Sequence, residues 1–341
     1  MGREPRRSQN DAHTRSDGAR RDAAQRLTDG NEFARLVNAQ SGSISCKQWD
    51  THMLDGTSIR SILFTPALQI ERFKRALHLD VDLNLLDLED SVAPEKKELA
   101  RENLHAFLSA NYGTTSPIAV RINAVGSDFG QNDLQAMMRS ARKPDFVVIP
   151  KTESRDDIQT VERMLGDDSG VRLIGLVESA KGVFNVDSIA SSSPRLAALM
   201  FGSADYTRDI GAEICWDSLL VPRSNIAAAA GARGIGAIDT PYFDIPDLVG
   251  LLDECERVRR LGFTGRCVIH PSQSEVVNGA FSYSLDAIDR ARKIVDAASM
   301  SGGNICKVDG QMVGAPIVEK ARRILAATQF SEQRFHSIKD I

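Results

Sequence analysis

From Arg60 onward, short apolar runs recur along the chain, each followed by a longer amphipathic stretch. The runs are SILFTP, LNLLDLED, IAVRIN, FVVIPK, RLIGLVES, LAALMFG, GIGAID and RCVIHP. Their spacing is about that of a βα unit. The stretches between them place apolar residues at helical intervals, as in IERFKRALHL and DLVGLLDECERVRRLGF. Near-continuous apolar strands alternating with helices predict a parallel sheet covered on both faces. Eight such units predict an α/β fold closed as a (β/α)8 TIM barrel. A doubly wound open sheet would want a Gly-rich first turn. LFTPALQ follows the first strand instead, which argues against a dinucleotide fold.

Two helical segments, SLDAIDRARKIVDAASMSGG and APIVEKARRILAATQ, follow the eighth strand and predict a C-terminal helical appendage or lid. The first 55 residues are rich in Arg, Asp, Gln, Ser and Asn and lack periodic apolar positions, apart from one short helical stretch at EFARLVNAQ. The expected organisation is a disordered or loosely attached extension over 1–55, a barrel over 56–282 and the appendage over 283–341.

Composition narrows the function classes. A net charge of −4 over 341 residues offers no nucleic-acid surface and no polybasic membrane patch. No apolar run approaches the roughly 18 residues of a membrane span. The N-terminus has no signal-peptide core, and Arg6 stands where myristoylation wants Ser or Thr. The cysteines, Cys46, Cys215, Cys255, Cys267 and Cys306, are dispersed and odd in number. They are expected to be free thiols in a reducing cytoplasm.

The chemistry lies at the strand ends. LNLLDLED runs a strand that reads as buried into Asp87, Glu89 and Asp90, and a buried carboxylate is costly unless something cationic meets it. In a barrel the active site gathers at the C-terminal ends of the strands. Those ends carry Thr65, Glu89 and Asp90, Arg121 and Asn123, Lys151, Glu178, Asp205, Asp239 and His270. The expected result is a polar mouth where the carboxylates meet Arg121 and Lys151. With no HxxEH, no Cys/His cluster and no EF-hand loop, zinc and a calcium loop are poorly supported. Glu178 and Asp205, from neighbouring strand ends, offer two hard oxygen ligands of the kind Mg²⁺ accepts alongside water and substrate oxygens. A metal beside an arginine suits a lyase or aldolase acting on small carboxylates through an enolate.

In order along the chain, RSILFTPALQIERFKRAL, LLDLEDSVAPEKKELAR, AVRINAVGS, VVIPKTES, LVESAKGVFN, MFGSADYTRDIGAE, AIDTPYFDIPD, IHPSQSEVVN and VDGQMVGAPIVEKARRIL resemble the citrate lyase beta subunit-like group of the HpcH/HpaI aldolase superfamily. That group includes malyl-CoA and citramalyl-CoA lyases. The resemblance implies a barrel in trimers or hexamers that breaks or forms a C–C bond next to a CoA thioester. It implies Glu178 and Asp205 as Mg²⁺ ligands, Arg121 as carboxylate binder, and Glu89 and Asp90 beside the metal's water shell. CoA phosphates are implied at Arg75, where the family usually has Lys. Smaller departures are Thr65 in LFTP, where Val before Pro is more usual, and Asp80 for a usual Gly.

One departure matters more. The family's appendage usually reads GxMVDxP, and its Asp reaches a neighbouring subunit's site as acid or base; here Gly314 stands in that place, with Asp309 five residues earlier. Glycine cannot transfer a proton. Thioester hydrolysis and enolate-forming condensation are therefore in question, which leaves retro-aldol cleavage or a changed substrate open. A CoA-independent aldolase and a non-catalytic metal-binding homologue are the competing expectations. A phosphoryl-transfer role ranks lower, for want of a phosphate-cradling loop.

Overall fold

The computed structural model describes residues 56–110, 116–302 and 305–338, with side chains as far as 327. The expected N-terminal extension and Cys46 lie outside the described residues. β1 (Ser61–Pro66) leads to α1 (Ile70–Ala76), β2 (Leu83–Asp87) to α2 (Lys97–Ser109), β3 (Ile118–Arg121) to α3 (Asp128–Arg139), and β4 (Phe146–Ile149) to α4 (Arg155–Leu165). β5 (Arg172–Val177) leads to two short helices, α5 (Ala180–Phe184) and α6 (Val186–Ala190). β6 (Leu196–Phe201) leads to α7 (Ser203–Ile210) and α8 (Trp216–Arg233), β7 (Gly236–Asp239) to α9 (Leu248–Leu261), and β8 (Gly265–Val268) to α10 (Ser274–Phe281).

The eight strands pair in sequence order, and β8 returns to β1 with Ser61 opposite Arg266, so the sheet closes. Closure explains the apolar runs. Side chains alternate across a strand, and both faces of this sheet are buried. Ile62, Leu85, Ile174 and Met200 fill the barrel interior. Their neighbours Leu63, Leu86, Leu173 and Leu199 pack outward under the helices.

Beyond the barrel come α11 (Leu285–Met300), β9 (Cys306–Val308), β10 (Gln311–Val313) and α12 (Ala315–Ile338). The appendage is therefore not purely helical. β9 and β10 pair antiparallel around Asp309 and Gly310, at φ of 47° and 80°. Two successive positive φ angles are what a two-residue type I′ hairpin requires, and Asp-Gly supplies them. Val313 packs with Ala291, Ile294 and Ala321 to hold the unit together.

Cys215, Cys255, Cys267 and Cys306 are free thiols. Among the described residues no helix is long and apolar enough to cross a membrane.

Candidate active site at the barrel mouth

β2 and β3 are neighbours, and their register sets Asp87 beside Arg121. The guanidinium grips the carboxylate in a fork, Nε donating to Oδ1 at 2.6 Å and Nη2 to Oδ2 at 2.8 Å. The backbone N–H groups of Glu89 and Ser91 donate to the same two oxygens, at 3.0 and 3.2 Å. Burial alone would raise the Asp87 pKa; Arg121 and these N–H donors outweigh it and hold the carboxyl below the usual range. The sequence reading placed Asp87 among the acids of this strand end without a role. Its role is to fix Arg121.

The remaining Arg121 nitrogen, Nη1, lies 3.2 Å from Glu89 Oε2 and 3.5 Å from Asp90 Oδ2. Glu89 is buried, and its other oxygen accepts from Lys151 Nζ. Oε2 itself accepts no aligned hydrogen bond. Lys151 does not line the central cavity. It adopts the left-handed backbone conformation, φ 50°, and its N–H donates to Glu178 Oε1 at 2.8 Å. One residue thus braces two carboxylates, which accounts for tolerating a conformation that costs about 1 kcal/mol in a non-glycine residue.

Glu178 projects just beyond β5 and is buried. Burial pushes it up to about 8; the charges of Glu89 and Asp205 add to this and the Lys151 N–H opposes it. Gly202, at the end of β6, makes room for it. A Cβ there would stand 2.6 Å from both Cβ and Oε2 of Glu178. Asp205 follows in the first turn of α7, ion-paired with Arg208 at 2.8 Å and otherwise half-turned to the cavity.

Among the described residues, no three acidic, histidine or cysteine side chains converge as a ready-made metal cage. Two carboxylates with water and substrate oxygens are, however, what Mg²⁺ ordinarily accepts. Glu89 Oε2, buried without an aligned hydrogen bond, and Glu178, raised by burial and by the neighbouring charges of Glu89 and Asp205, mark a place where a hard cation would be welcome. The residues present fit the metal.

Behind the mouth lies a layer that the sequence did not reveal. Lys97 is buried in α2 and donates through Nζ to the carbonyls of Leu88 and Glu89, at 2.7 Å each. Asn123 Nδ2 also donates to Leu88 O at 3.0 Å, and is itself held by Asp133 Oδ2 at 2.6 Å. These bonds pin the loop that carries Glu89 and Asp90. Asn123 is therefore a support for that loop, and nothing in the spacing of Lys97 or Asp133 marks them for it.

The cavity at the mouth has a volume of about 200 Å³. Arg121, Asp90, Glu178 and Asp205 line one side of it. Phe64, Leu176, Met200 and Cys267, the last apolar layer inside the barrel, form its floor. Pro241, Phe243 and Ile269 line it beside β7 and β8. The Arg121 guanidinium sits 5.2 Å from the centre of the Phe64 ring, a cation–π contact.

Four residues from the sequence reading go elsewhere. Asp239 is fully buried, gripped by Arg223 through two bonds of 3.0 Å and ion-paired with Arg266 at 2.9 Å. Glu254 of α9 completes this quartet beneath β7 and β8. His270 is exposed, and its ring caps the turn after β8 through Ser272. Arg75 is exposed in the last turn of α1, away from the cavity lining. Asp309 lies in the turn of the β9–β10 hairpin.

The family model for HpcH/HpaI aldolase/citrate lyase matches residues 60–271, which is the barrel with all of these mouth residues. The chain belongs to this family. It is an enzyme of the lyase class that the family comprises. It is 32% identical over 286 residues to the citrate lyase subunit beta of Escherichia coli K12, covering 80% of this chain and 94% of that one. It is 33% identical to a (3S)-malyl-CoA thioesterase of Cereibacter sphaeroides, covering 79% and 94%. A crystal structure of CitE from Mycobacterium tuberculosis, in complex with magnesium, acetoacetate and coenzyme A, superposes with a TM-score of 0.65 at 30% identity, covering 81% of this chain and 99% of that one.

Proposed function

We propose that the protein is a Mg²⁺-dependent carbon–carbon lyase that cleaves, or in reverse forms, a 3-hydroxyacyl-CoA such as malyl-CoA or citramalyl-CoA, giving an acyl-CoA and a 2-oxo acid. The observation that carries this reading is the convergence of Glu178, Asp205, Arg121 and Asp90 on one cavity. Glu178 and Asp205 would hold the ion, with Glu89 Oε2 facing its water shell. Bound there, Mg²⁺ supplies Lewis-acid polarisation of the substrate oxygens next to the bond that breaks.

The chain's own residues account for the rest. Asp90, the more exposed carboxylate of the β2 loop, takes the proton of the substrate hydroxyl. As the C–C bond breaks, its electron pair moves into the thioester and leaves an enolate. Arg121 Nη1 faces that developing charge, held still by the Asp87 fork so that no reorientation is needed. Returning the proton to the enolate carbon yields the acyl-CoA. The exposed Arg75 is the candidate contact for CoA phosphates. The free thiols support a reducing compartment. A homo-oligomer, trimer or hexamer, is part of this reading, and the exposed Ile210, Ile214 and Val221 are candidates for its contacts.

The test is a panel of 3-hydroxyacyl-CoAs and the corresponding free acids, incubated with purified protein and Mg²⁺ and assayed for released 2-oxo acid. Release from CoA esters alone is the expected result. Release from the free acids would move the protein to the CoA-independent aldolases. Silence across the panel from protein that still binds Mg²⁺ would replace the lyase reading with that of a non-catalytic homologue.

A further inference from the structure

Glu178 and Asp205 leave different strands, and as like charges they repel. Two such carboxylates keep a fixed separation only where the chain around each is tied down. The sheet supplies one tie at the base, from Gly202 N–H to Val177 O at 3.0 Å. Both acids lie at or beyond it. What joins their segments further out is a bond that lies outside the cavity.

α7 is seated at its start, where Ser203 N–H donates to Thr240 Oγ1 at 3.2 Å. One turn after Asp205, on the same side of the helix, stands Asp209. Its Oδ2 accepts the backbone N–H of Ala180 at 2.8 Å. Ala180 follows closely on Glu178. The bond therefore joins the helix that carries one proposed ligand to the segment that carries the other. From the β4 side, Glu153 holds the same segment. Its Oε1 accepts from Ser179 Oγ at 2.9 Å and its Oε2 from Lys181 Nζ at 3.0 Å. Neither Glu153 nor Asp209 lines the cavity, so each acts only through the segment it holds.

The first N–H of α5 has no intrahelical acceptor and needs some partner. Water would serve, because Asp209 is exposed. A carboxylate carried by the neighbouring helix serves the N–H equally and adds a fixed distance.

We propose that Asp209 is a positioning residue for the cation: through Ala180 it sets the separation of Glu178 and Asp205 before the ion binds. This rests on the assignment of those two ligands above and extends it to a residue outside the cavity. Without the bond the two carboxylates would spread, and the ion would bind more weakly for having to draw them together.

The experiment measures Mg²⁺ binding to the full chain by calorimetry, with thermal melts alongside and Glu178→Ala as the control that abolishes binding. Asp209→Ala is expected to weaken Mg²⁺ by about tenfold, the low end for losing a partner that orients a ligand. Asp209→Asn keeps an acceptor oxygen and is expected to recover most of that loss. Ala180→Pro removes the donor and keeps the charge of Asp209. Proline suits a first helical position, and Ser179 already has the extended backbone that must precede it. Its loss should match that of Asp209→Ala, and the double variant should bind no more weakly than either single one.

Unshifted binding in Asp209→Ala, with or without a lower Tm, overturns the inference and leaves the metal assignment standing if Glu178→Ala abolishes binding. An Asn variant as weak as the Ala variant also overturns it, since charge and not the bond would then be acting. So do losses that add in the double variant. No Mg²⁺ binding by the unaltered protein overturns both the inference and the metal assignment.

Discussion

Asp87 and Arg121 meet through two parallel hydrogen bonds of 2.6 and 2.8 Å, although 34 residues separate them in the chain. The pair is buried at the barrel mouth, and it fixes where the guanidinium lining the cavity points. Asp87→Asn keeps the shape and removes the charge. Stability is expected to fall by roughly 3 kcal/mol, the low end for breaking a buried pair, because Glu89 and Asp90 remain beside the guanidinium. Arg121→Lys cannot reproduce the fork, and turnover is expected to fall about a hundredfold, the loss typical of a charge-stabilising donor. Denaturant melts and steady-state kinetics check the two. Unchanged kcat and KM in Arg121→Lys would remove Arg121 from the site.

The metal assignment makes a separate set of expectations. Glu178→Ala and Asp205→Ala should each abolish Mg²⁺-dependent activity with the circular dichroism spectrum intact, since neither side chain supports the core. Chelation should silence the unaltered protein, and added Mg²⁺ should restore it. Gly202→Ala retains both carboxylates, but its Cβ would stand 2.6 Å from Cβ and Oε2 of Glu178, so Glu178 has to shift. Its Mg²⁺ titration should shift to higher concentration. An unshifted titration would mean that Glu178 is not where the ion sits.

Gly314 has no conformational reason to be glycine. A Cβ there meets only Pro316 Cδ, at 4.0 Å. Gly314→Asp is therefore expected to change stability by no more than about 0.5 kcal/mol. If the family's acid works as the resemblance implies, this variant hydrolyses the thioester faster than the natural chain. Hydrolysis of a 3-hydroxyacyl-CoA, followed as free thiol, decides it. A stable variant with no gain would mean that this position does not reach a site.

The quartet under β7 and β8 carries a pH dependence. Burial would raise Glu254, but Arg266 and Arg223 outweigh it and hold its pKa below the ordinary value of 4.5. A carboxylate depressed in the folded state binds its proton more readily when unfolded. Its stabilising share is therefore complete above about pH 4.5 and is lost as pH falls through the folded value. Glu254→Gln is expected to lower stability at pH 7 by about 2 kcal/mol, the scale of hydrogen bonds to charged groups. The gap from the natural chain should close on acidification below about pH 4.5. Thermal melts across pH check this, and a gap that stays constant would remove Glu254 from the acid transition.

The order and type of the barrel elements were legible in the chain because they follow from local periodicity. An apolar run too short for a helix, repeated eight times with amphipathic stretches between, has few ways to bury both of its faces other than a closed parallel sheet. The carboxylates at the strand ends were legible for the same reason, since a charge that interrupts an apolar run needs a partner. The hairpin over 306–313 was missed, although Asp309-Gly310 is a turn signal, because its strands are three residues long.

Which strand-end charge lines the cavity is decided only by tertiary contact. Asp87, Glu89 and Asp239 look alike in sequence: each is an acid at the end of an apolar run. One orients Arg121, one is held between Arg121 and Lys151, and one is sealed against two arginines from α8 and β8. The difference lies in cations brought from far along the chain, and in how much water each pair loses. Neither quantity is a property of a local stretch. The sequence determined a polar ring at the barrel mouth, and the fold decided which of its members are free to do chemistry.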